Sequence, residues 1–230
     1  MDLAALLREA PAFHTDEGWN PVSLQASDEV LHLLAATVRP GMHTLETGAG
    51  MSTVVFAAAG AVHTCVTPAD GEVGRIRAWC AGHGVDLART TFRTQRSETA
   101  LPRLAATPLD VVLIDGGHGF PTPFIDWFYT ADRLRVGGTL VVDDVHLWTG
   151  AVLRDFLAAE PAWRLRDEFA ERAAVFEKVA TLPALPEWTH QPFVVRRSRV
   201  AGTPARVLRR ALGVVRRDGL AALWRGARGR

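Results

Sequence analysis

The chain reads as an α/β protein built on a doubly wound, seven-stranded sheet whose last strand is antiparallel. Three observations predict it. Short apolar runs at 42–45, 111–114 and 140–142 are rich in β-branched residues and Leu, and Asp, Glu or Gly closes each, as expected of strands buried on both faces of a parallel sheet. These runs alternate with segments of helical pattern, the mark of successive βαβ units. The final two apolar runs are joined by a short polar link, too short for a crossover and suited to a hairpin.

Taken in order, residues 1–40 read as a helical N-terminal segment. Leu3, Leu6 and Leu7 form a small apolar face and a polar stretch covers 14–20. A second helix over 27–38 has Ser27 or Asp28 as its cap and Pro40-Gly41 as its stop. A strand over 42–45 leads to a helix over 52–59, and a strand over 61–66 to a helix over 72–82. A weaker strand over 90–94 leads to a helix over 97–104. The strand over 110–114 precedes a helix over 123–134, with Arg135-Val136-Gly137-Gly138 as stop and turn. A strand over 139–142 leads to a helix over 149–159, and strands over 163–166 and 173–179 close the sheet as a hairpin. Pro183, Pro186 and Pro192 then punctuate a linker, so the expected division is 1–40, 41–182 and 183–230.

With 48% apolar residues in 230, the chain can bury one substantial core. It contains no uncharged apolar run of 18 residues, and its N-terminus lacks a basic segment followed by an apolar one. Cys65 and Cys80 form no C-x-x-C and read as reduced, buried thiols, so the expected location is cytoplasmic. The formal net charge of +1 hides a polarity: residues 196–230 carry 11 Arg against the single acid Asp218, leaving the body acidic. Over 204–217, Val207, Leu208, Ala211, Leu212 and Val215 share one helical face and Arg206, Arg209, Arg210, Arg216 and Arg217 the other. Such a basic amphipathic helix suits docking on an acidic partner or a second copy in a homodimer. Peripheral contact with an anionic membrane through 204–230 ranks next. Nucleic acid ranks last, because only Trp224 supplies an aromatic there.

Three motifs carry the chemistry. Glu46-Thr47-Gly48-Ala49-Gly50-Met51-Ser52-Thr53 is a glycine-rich strand-to-helix turn, where missing Cβ atoms let the backbone approach a ligand. It has no G-K-[ST], which excludes a phosphate P-loop, and Thr53 stands where a dinucleotide fingerprint needs a third glycine. Ile114-Asp115-Gly116-Gly117-His118 and Val142-Asp143-Asp144-Val145-His146 are acidic strand ends that share the carboxyl edge of the sheet with the turn. Carboxylates converging there repel one another unless a positive partner compensates them, and a carboxylate beside the cradle suits an ammonium or sulfonium ligand better than a pyrophosphate.

In order, these three segments resemble the class I S-adenosylmethionine-dependent methyltransferases. They are most similar to the small-molecule O-methyltransferases whose fourth strand ends in Asp-Gly-x-His and whose fifth ends in paired acids. The resemblance spans about 40–180 and implies a Rossmann-like sheet. It implies that Glu46, Thr47, Gly48, Gly50, Ser52 and Thr53 hold the methionine end of the cofactor. Asp70 stands for the ribose-gripping acid, a few positions past the second strand, and Ser97 for the adenine contact. In the cation-dependent members the matching Asp115, Asp143 and Asp144 hold a divalent ion, Mg²⁺ by their hard oxygen donors. Asp115 also lies beside the cofactor. His118 is the expected general base and His146 a second candidate. Trp19, Trp127 and Trp148 are candidates to cover a substrate, Trp148 ahead of Trp127, whose place on a helix suits the core. The expected reaction is methyl transfer to a hydroxyl of a small molecule, a sugar or a natural-product scaffold. Two other classes are open to such a chain: a nucleotide-cofactor oxidoreductase, disfavoured by Glu46 and Thr53, and a catalytically silent adaptor acting through the basic tail.

Overall fold

The computed structural model describes residues 9, 11–15, 20–22, 26–170, 172–182 and 187–200. The chain divides into two compact units, 1–182 and 183–230.

The first unit opens with two short strands, β1 (His14–Thr15) and β2 (Pro21–Val22), paired antiparallel. A polar stretch inside a helical segment was expected here, and the described residues form a small hairpin instead. Helix α1 (Asp28–Thr37) follows, where Ser27 rather than Asp28 is the cap: its side chain accepts from the Val30 backbone N–H at 3.4 Å.

The alternation then runs β3 (His43–Thr47), α2 (Met51–Ala58), β4 (Val62–Val66), α3 (Asp70–His83) and β5 (Thr90–Arg93). Next come the short α4 (Ser97–Ala100), β6 (Leu109–Ile114), α5 (Thr122–Ala131), β7 (Leu134–Val142) and α6 (Trp148–Ala159). The antiparallel pair β8 (Trp163–Phe169) and β9 (Ala173–Lys178) closes the unit. Seven strands form one sheet in the order β5-β4-β3-β6-β7-β9-β8. The first five lie parallel to their neighbours, and β9 runs antiparallel to both β7 and β8. The doubly wound sheet with an antiparallel last strand is therefore as expected. The order reverses beside β3 and β6, which leaves a crevice at their carboxyl ends.

Both faces of the sheet are covered. Val111 and Leu113 of β6 join one core cluster with Leu31, Leu34, Val54, Val55 and Ile76, whereas the alternating Val112 and Ile114 are buried outside that cluster. Helix α2 is buried from Met51 to Ala57, so it has no polar face to offer water and acts as a core helix that presents the preceding turn.

Two helical expectations are corrected. Helix α5 stops at Ala131, and residues 135–138 belong to β7 rather than to a turn after a helix. The register shifts between Leu109 and Val111, so the two glycines are absorbed as an irregularity within a strand, with Gly137 at φ 82°. A sequence cannot separate this from a turn, because both use glycine in the same way. The helix expected over 97–104 is α4 plus a 3₁₀ turn, Leu101–Arg103, tightened at Pro102.

Lys178, the one lysine of the chain, is buried at the end of β9. Its Nζ donates to the Ala131 and Leu134 carbonyls at 2.7 Å each, which joins the end of α5 to the start of β7. Burial pulls its pKa below the usual lysine value. Lys178→Met is expected to lower stability by about 1–3 kcal/mol, because it leaves buried carbonyls without donors. Urea denaturation checks this, with an unchanged midpoint as the contrary result.

In the second unit a 3₁₀ turn, Trp188–His190, precedes α7 (Pro192–Val200), where the Arg197 guanidinium stacks over the Phe193 ring at 5.2 Å. The helix expected over 204–217, the Leu3-Leu6-Leu7 face and Trp19 all lie outside the described residues. Among the described residues no helix is long and apolar enough to cross a membrane.

Candidate active site

The strand ends are stitched together at the crevice. Gly48 N–H donates to the Val66 carbonyl at 2.9 Å, Asp115 N–H to Thr47 at 3.1 Å, and Asp143 N–H to Ile114 at 2.9 Å. The turn between β3 and α2 therefore lies against the loop after β6. Gly48, at φ +92°, is in such close contact that an added Cβ would sit 2.0 Å from the Asp115 carbonyl oxygen. A cleft of about 600 Å³ opens above this junction. Of the expected site residues, Gly48, Gly50, Ser52, Ser97, Asp115, His118, Asp143 and Asp144 line it.

Glu46, Thr47 and Thr53 are placed below the cradle, each about 1% exposed or less. The Glu46 carboxylate accepts from the Ser52 hydroxyl at 2.6 Å, from the Thr53 hydroxyl, and from His63 Nε2 at 3.0 Å. The Thr44 hydroxyl lies 2.8 Å from His63 Nδ1, and the imidazole stacks on Phe56 at 4.4 Å. His63 bridges the Glu46 carboxylate through Nε2 and the Thr44 hydroxyl through Nδ1. Glu46 thus ties the glycine turn to the first turn of α2 from beneath, and its charge is used inside the fold. His63 was missed in the sequence, where a lone histidine in an apolar strand carries no signal of its partner.

The ribose position also differs from expectation. Asp70 is exposed at the start of α3 and does not line the cleft, whereas Glu72, in the same first turn, does. Glu72 Oε1 lies 3.0 Å from Nδ1 of His14, which comes from β1 and also lines the cleft. The β1 strand is held there by the buried Phe13, edge-on to Trp79 at 5.9 Å, and by Arg75 Nε donating to the Phe13 carbonyl at 2.6 Å.

At the other end of the cleft, Asp115, His118 and Asp144 each place a ligand atom within 4.8 Å of the others. Asp144 has φ 51°, in the left-handed region that Asp tolerates better than most side chains. Its Oδ2 is 3.2 Å from His118 Nε2, and its Oδ1 is 3.0 Å from Arg172 and 3.6 Å from His146 Nδ1. Asp143 falls outside this trio: its Oδ1 accepts from the Asp144 backbone N–H at 2.9 Å, which shapes the loop. His146 does not line the cleft.

Burial, with the charges of Asp143, Asp144 and Glu46 added, pushes Asp115 well above the carboxylate range, and Arg172 offsets part of this. Asp143 is raised for the same leading reason, burial, against the pull of the Asp144 backbone N–H. The positive partner that the clustered acids require is thus in part Arg172, from the turn between β8 and β9. Sequence reasoning missed it, since the hairpin brings it back from 28 residues beyond Asp144.

Asp126 of α5, also unforeseen, is fully buried beneath the loop after β6, where a Cβ on Gly116 would meet its Oδ2 at 3.3 Å. Burial pushes its pKa up to about 6, the neighbouring Ser97 and Thr47 hydroxyls offsetting only part. A carboxyl raised by folding penalises the native state above the folded pKa, and the penalty disappears below the unfolded pKa near 3.9. Asp126→Asn is therefore expected to be more stable than wild type at pH 8, by on the order of 1–3 kcal/mol. The advantage should fade between about pH 6 and pH 4, and thermal melts across that range measure it.

Comparison with known proteins agrees with this architecture. A family model described as a methyltransferase domain matches residues 45–145. No curated protein matches the sequence significantly. Among solved structures, a putative caffeoyl-CoA O-methyltransferase from Staphylococcus aureus superposes with a TM-score of 0.60 at 12% identity, covering 77% of this chain and 92% of that one. The O-methyltransferase TomG from Streptomyces achromogenes, involved in tomaymycin synthesis and solved with S-adenosylmethionine, gives 0.58 at 18% identity, covering 76% and 89%. A putative rRNA methylase from Clostridium thermocellum gives 0.57 at 13% identity, covering 70% and 100%. At these identities the structural likeness is one of fold. Sheet order, glycine turn and family match agree: residues 45–145 match a methyltransferase domain, and the sheet has the fold of the methyltransferases compared above.

Proposed function

We propose that the protein transfers the methyl group of S-adenosylmethionine to a hydroxyl of a small molecule, on a sugar or natural-product scaffold. The observation that carries this reading is the placing of Asp115, His118 and Asp144 in the same cleft as the Gly48–Gly50 cradle. The cofactor, when bound, supplies an already activated methyl group, so the chain's task is to orient it, exclude water and manage one proton. Gly48, Gly50 and Ser52 would receive the methionine end, Glu72 the ribose hydroxyls in place of Asp70, and Ser97 the adenine side.

His118 is the base. With Nε2–H turned to Asp144, the lone pair lies on Nδ1, which takes the proton of the acceptor hydroxyl while the Asp144 carboxylate stabilises the imidazolium. Asp115 and Asp144 also suit a divalent cation: two hard oxygens at one point, around a repulsion that a cation relieves, with His118 left beside it as the base. Bound there, Mg²⁺ would lower the pKa of the acceptor hydroxyl. Asp143 holds the loop rather than the ion. Structures of the same fold described as O-methyltransferases are in keeping with oxygen as acceptor.

Calorimetric titration with S-adenosylhomocysteine, with and without millimolar Mg²⁺, tests the reading. Micromolar binding is expected and justifies a screen of hydroxylated acceptors for methyl transfer. No binding in either condition would overturn the assignment of cofactor and cleft.

A further inference from the structure

Part of the cleft comes from outside the stretch that matches the methyltransferase domain. Residues 45–145 carry that match, yet His14, on β1, lines the cleft together with Gly50 and Glu72. Its Nδ1 lies 3.0 Å from Glu72 Oε1, and its Nε2 faces the start of α2, 3.4 Å from where a Cβ on Gly50 would stand. One imidazole therefore spans the gap between the glycine cradle and the acid assigned to the ribose hydroxyls.

Three contacts fix it there. Phe13, the preceding residue, is buried and meets Trp79 edge-on at 5.9 Å. Arg75 Nε donates to the Phe13 carbonyl at 2.6 Å, and β1 pairs with β2, His14 opposite Val22. Helix α3 thus anchors the strand through Trp79 and Arg75 and receives its histidine through Glu72. A two-stranded hairpin is marginal on its own. Phe13 supplies the apolar anchor, which leaves position 14 free to carry a polar group into the cleft. The His14 and Glu72 side chains are only 20% and 19% exposed, so water competes for them less than for a surface ion pair.

A glutamate side chain is flexible, and holding a ligand costs it that freedom. Ordering it beforehand removes the cost from binding. A carboxylate offers about four acceptor positions, so the contact with His14 on Oε1 leaves places for both ribose hydroxyls.

We infer that His14 is a positioning residue of the cofactor site: it holds the Glu72 carboxylate toward the cleft for the ribose hydroxyls, which makes the N-terminal hairpin part of the site. This rests on the proposed role of Glu72 and extends it to a residue that the domain match leaves out. It also gives a reason why Glu72 serves rather than the exposed Asp70: α3 meets His14 at Glu72.

The test uses adenosine and 2′,3′-dideoxyadenosine, which differ only in the ribose hydroxyls, each titrated by calorimetry as a competitor of S-adenosylhomocysteine on the full chain. Wild type is expected to bind adenosine about tenfold more tightly than the dideoxy probe. His14→Ala is expected to weaken adenosine binding about fivefold while the dideoxy affinity stays within about twofold, so that most of the preference is lost. His14→Asn, whose amide nitrogen takes a place close to that of Nδ1, should keep it. Glu72→Ala should lose it, and adding His14→Ala to Glu72→Ala should weaken adenosine no further, because the two residues act through one contact. Equal loss of both probes in His14→Ala, the mark of a packing role alone, would overturn the inference, as would an unchanged preference; both leave the methyltransferase reading intact. A wild type that binds S-adenosylhomocysteine without preferring adenosine would overturn the inference together with the role of Glu72. Failure of S-adenosylhomocysteine to bind the wild type would overturn the methyltransferase reading as well.

Discussion

Gly48→Ala is expected to abolish measurable binding of S-adenosylhomocysteine and to lower the melting temperature by roughly 10 °C. Two terms add. Position 48 has φ +92°, and holding an L-residue in a left-handed conformation costs roughly 1–2 kcal/mol. The new Cβ would also lie 2.0 Å from the Asp115 carbonyl oxygen and 2.8 Å from its carbon, backbone atoms that cannot turn aside as a side-chain end can. Relief requires moving the turn after β3 away from the loop after β6, at about 1–3 kcal/mol of further strain. That movement pulls the cradle from the cleft and displaces Asp115, so binding and stability fall together. Differential scanning calorimetry with a parallel S-adenosylhomocysteine titration checks both. A variant that binds normally would show that the turn can shift without disturbing the cleft.

His118→Ala is expected to lower turnover by on the order of 10²–10⁴ with little change in S-adenosylhomocysteine affinity or melting temperature. The imidazole lies on an exposed loop, so its removal leaves no buried cavity. It does take away the group that Asp144 holds at 3.2 Å for proton transfer. Added imidazole should restore part of the rate if a base is what was lost, whereas a purely structural role would give no rescue. The measurement is methyl transfer to an acceptor found by screening, with and without EDTA. Loss of wild-type activity on chelation would assign Asp115 and Asp144 to a divalent cation. Full activity of His118→Ala without imidazole would remove it as the base.

Legibility differed between the parts of the molecule. The strand-helix alternation over 42–159 was readable because buried strands require apolar runs of fixed length and each turn requires its own residues. Where one residue type serves two conformations the reading failed, as at Gly137-Gly138, which sit inside β7 and not after a helix. Position at the mouth of the sheet was likewise readable: Gly48, Asp115, Asp143 and Asp144 close their strands and therefore sit at one edge.

What the sequence by itself determined is the sheet and its carboxyl-end crevice, since these follow from hydrophobic period and residue order, while three motifs in sequence carry the resemblance to methyltransferases. Only the tertiary structure decided where the side chains point and what they meet. Glu46 faces inward to Ser52, Thr53 and His63, while Glu72 rather than Asp70 reaches the cleft. His118 joins Asp115 and Asp144, Asp143 turns to its own loop, and Arg172 returns from the terminal hairpin to neutralise Asp144. The physical reason is that period and spacing fix the path of the backbone. The direction of a side chain at a loop depends on local φ and on partners distant in sequence, which only the folded chain brings together.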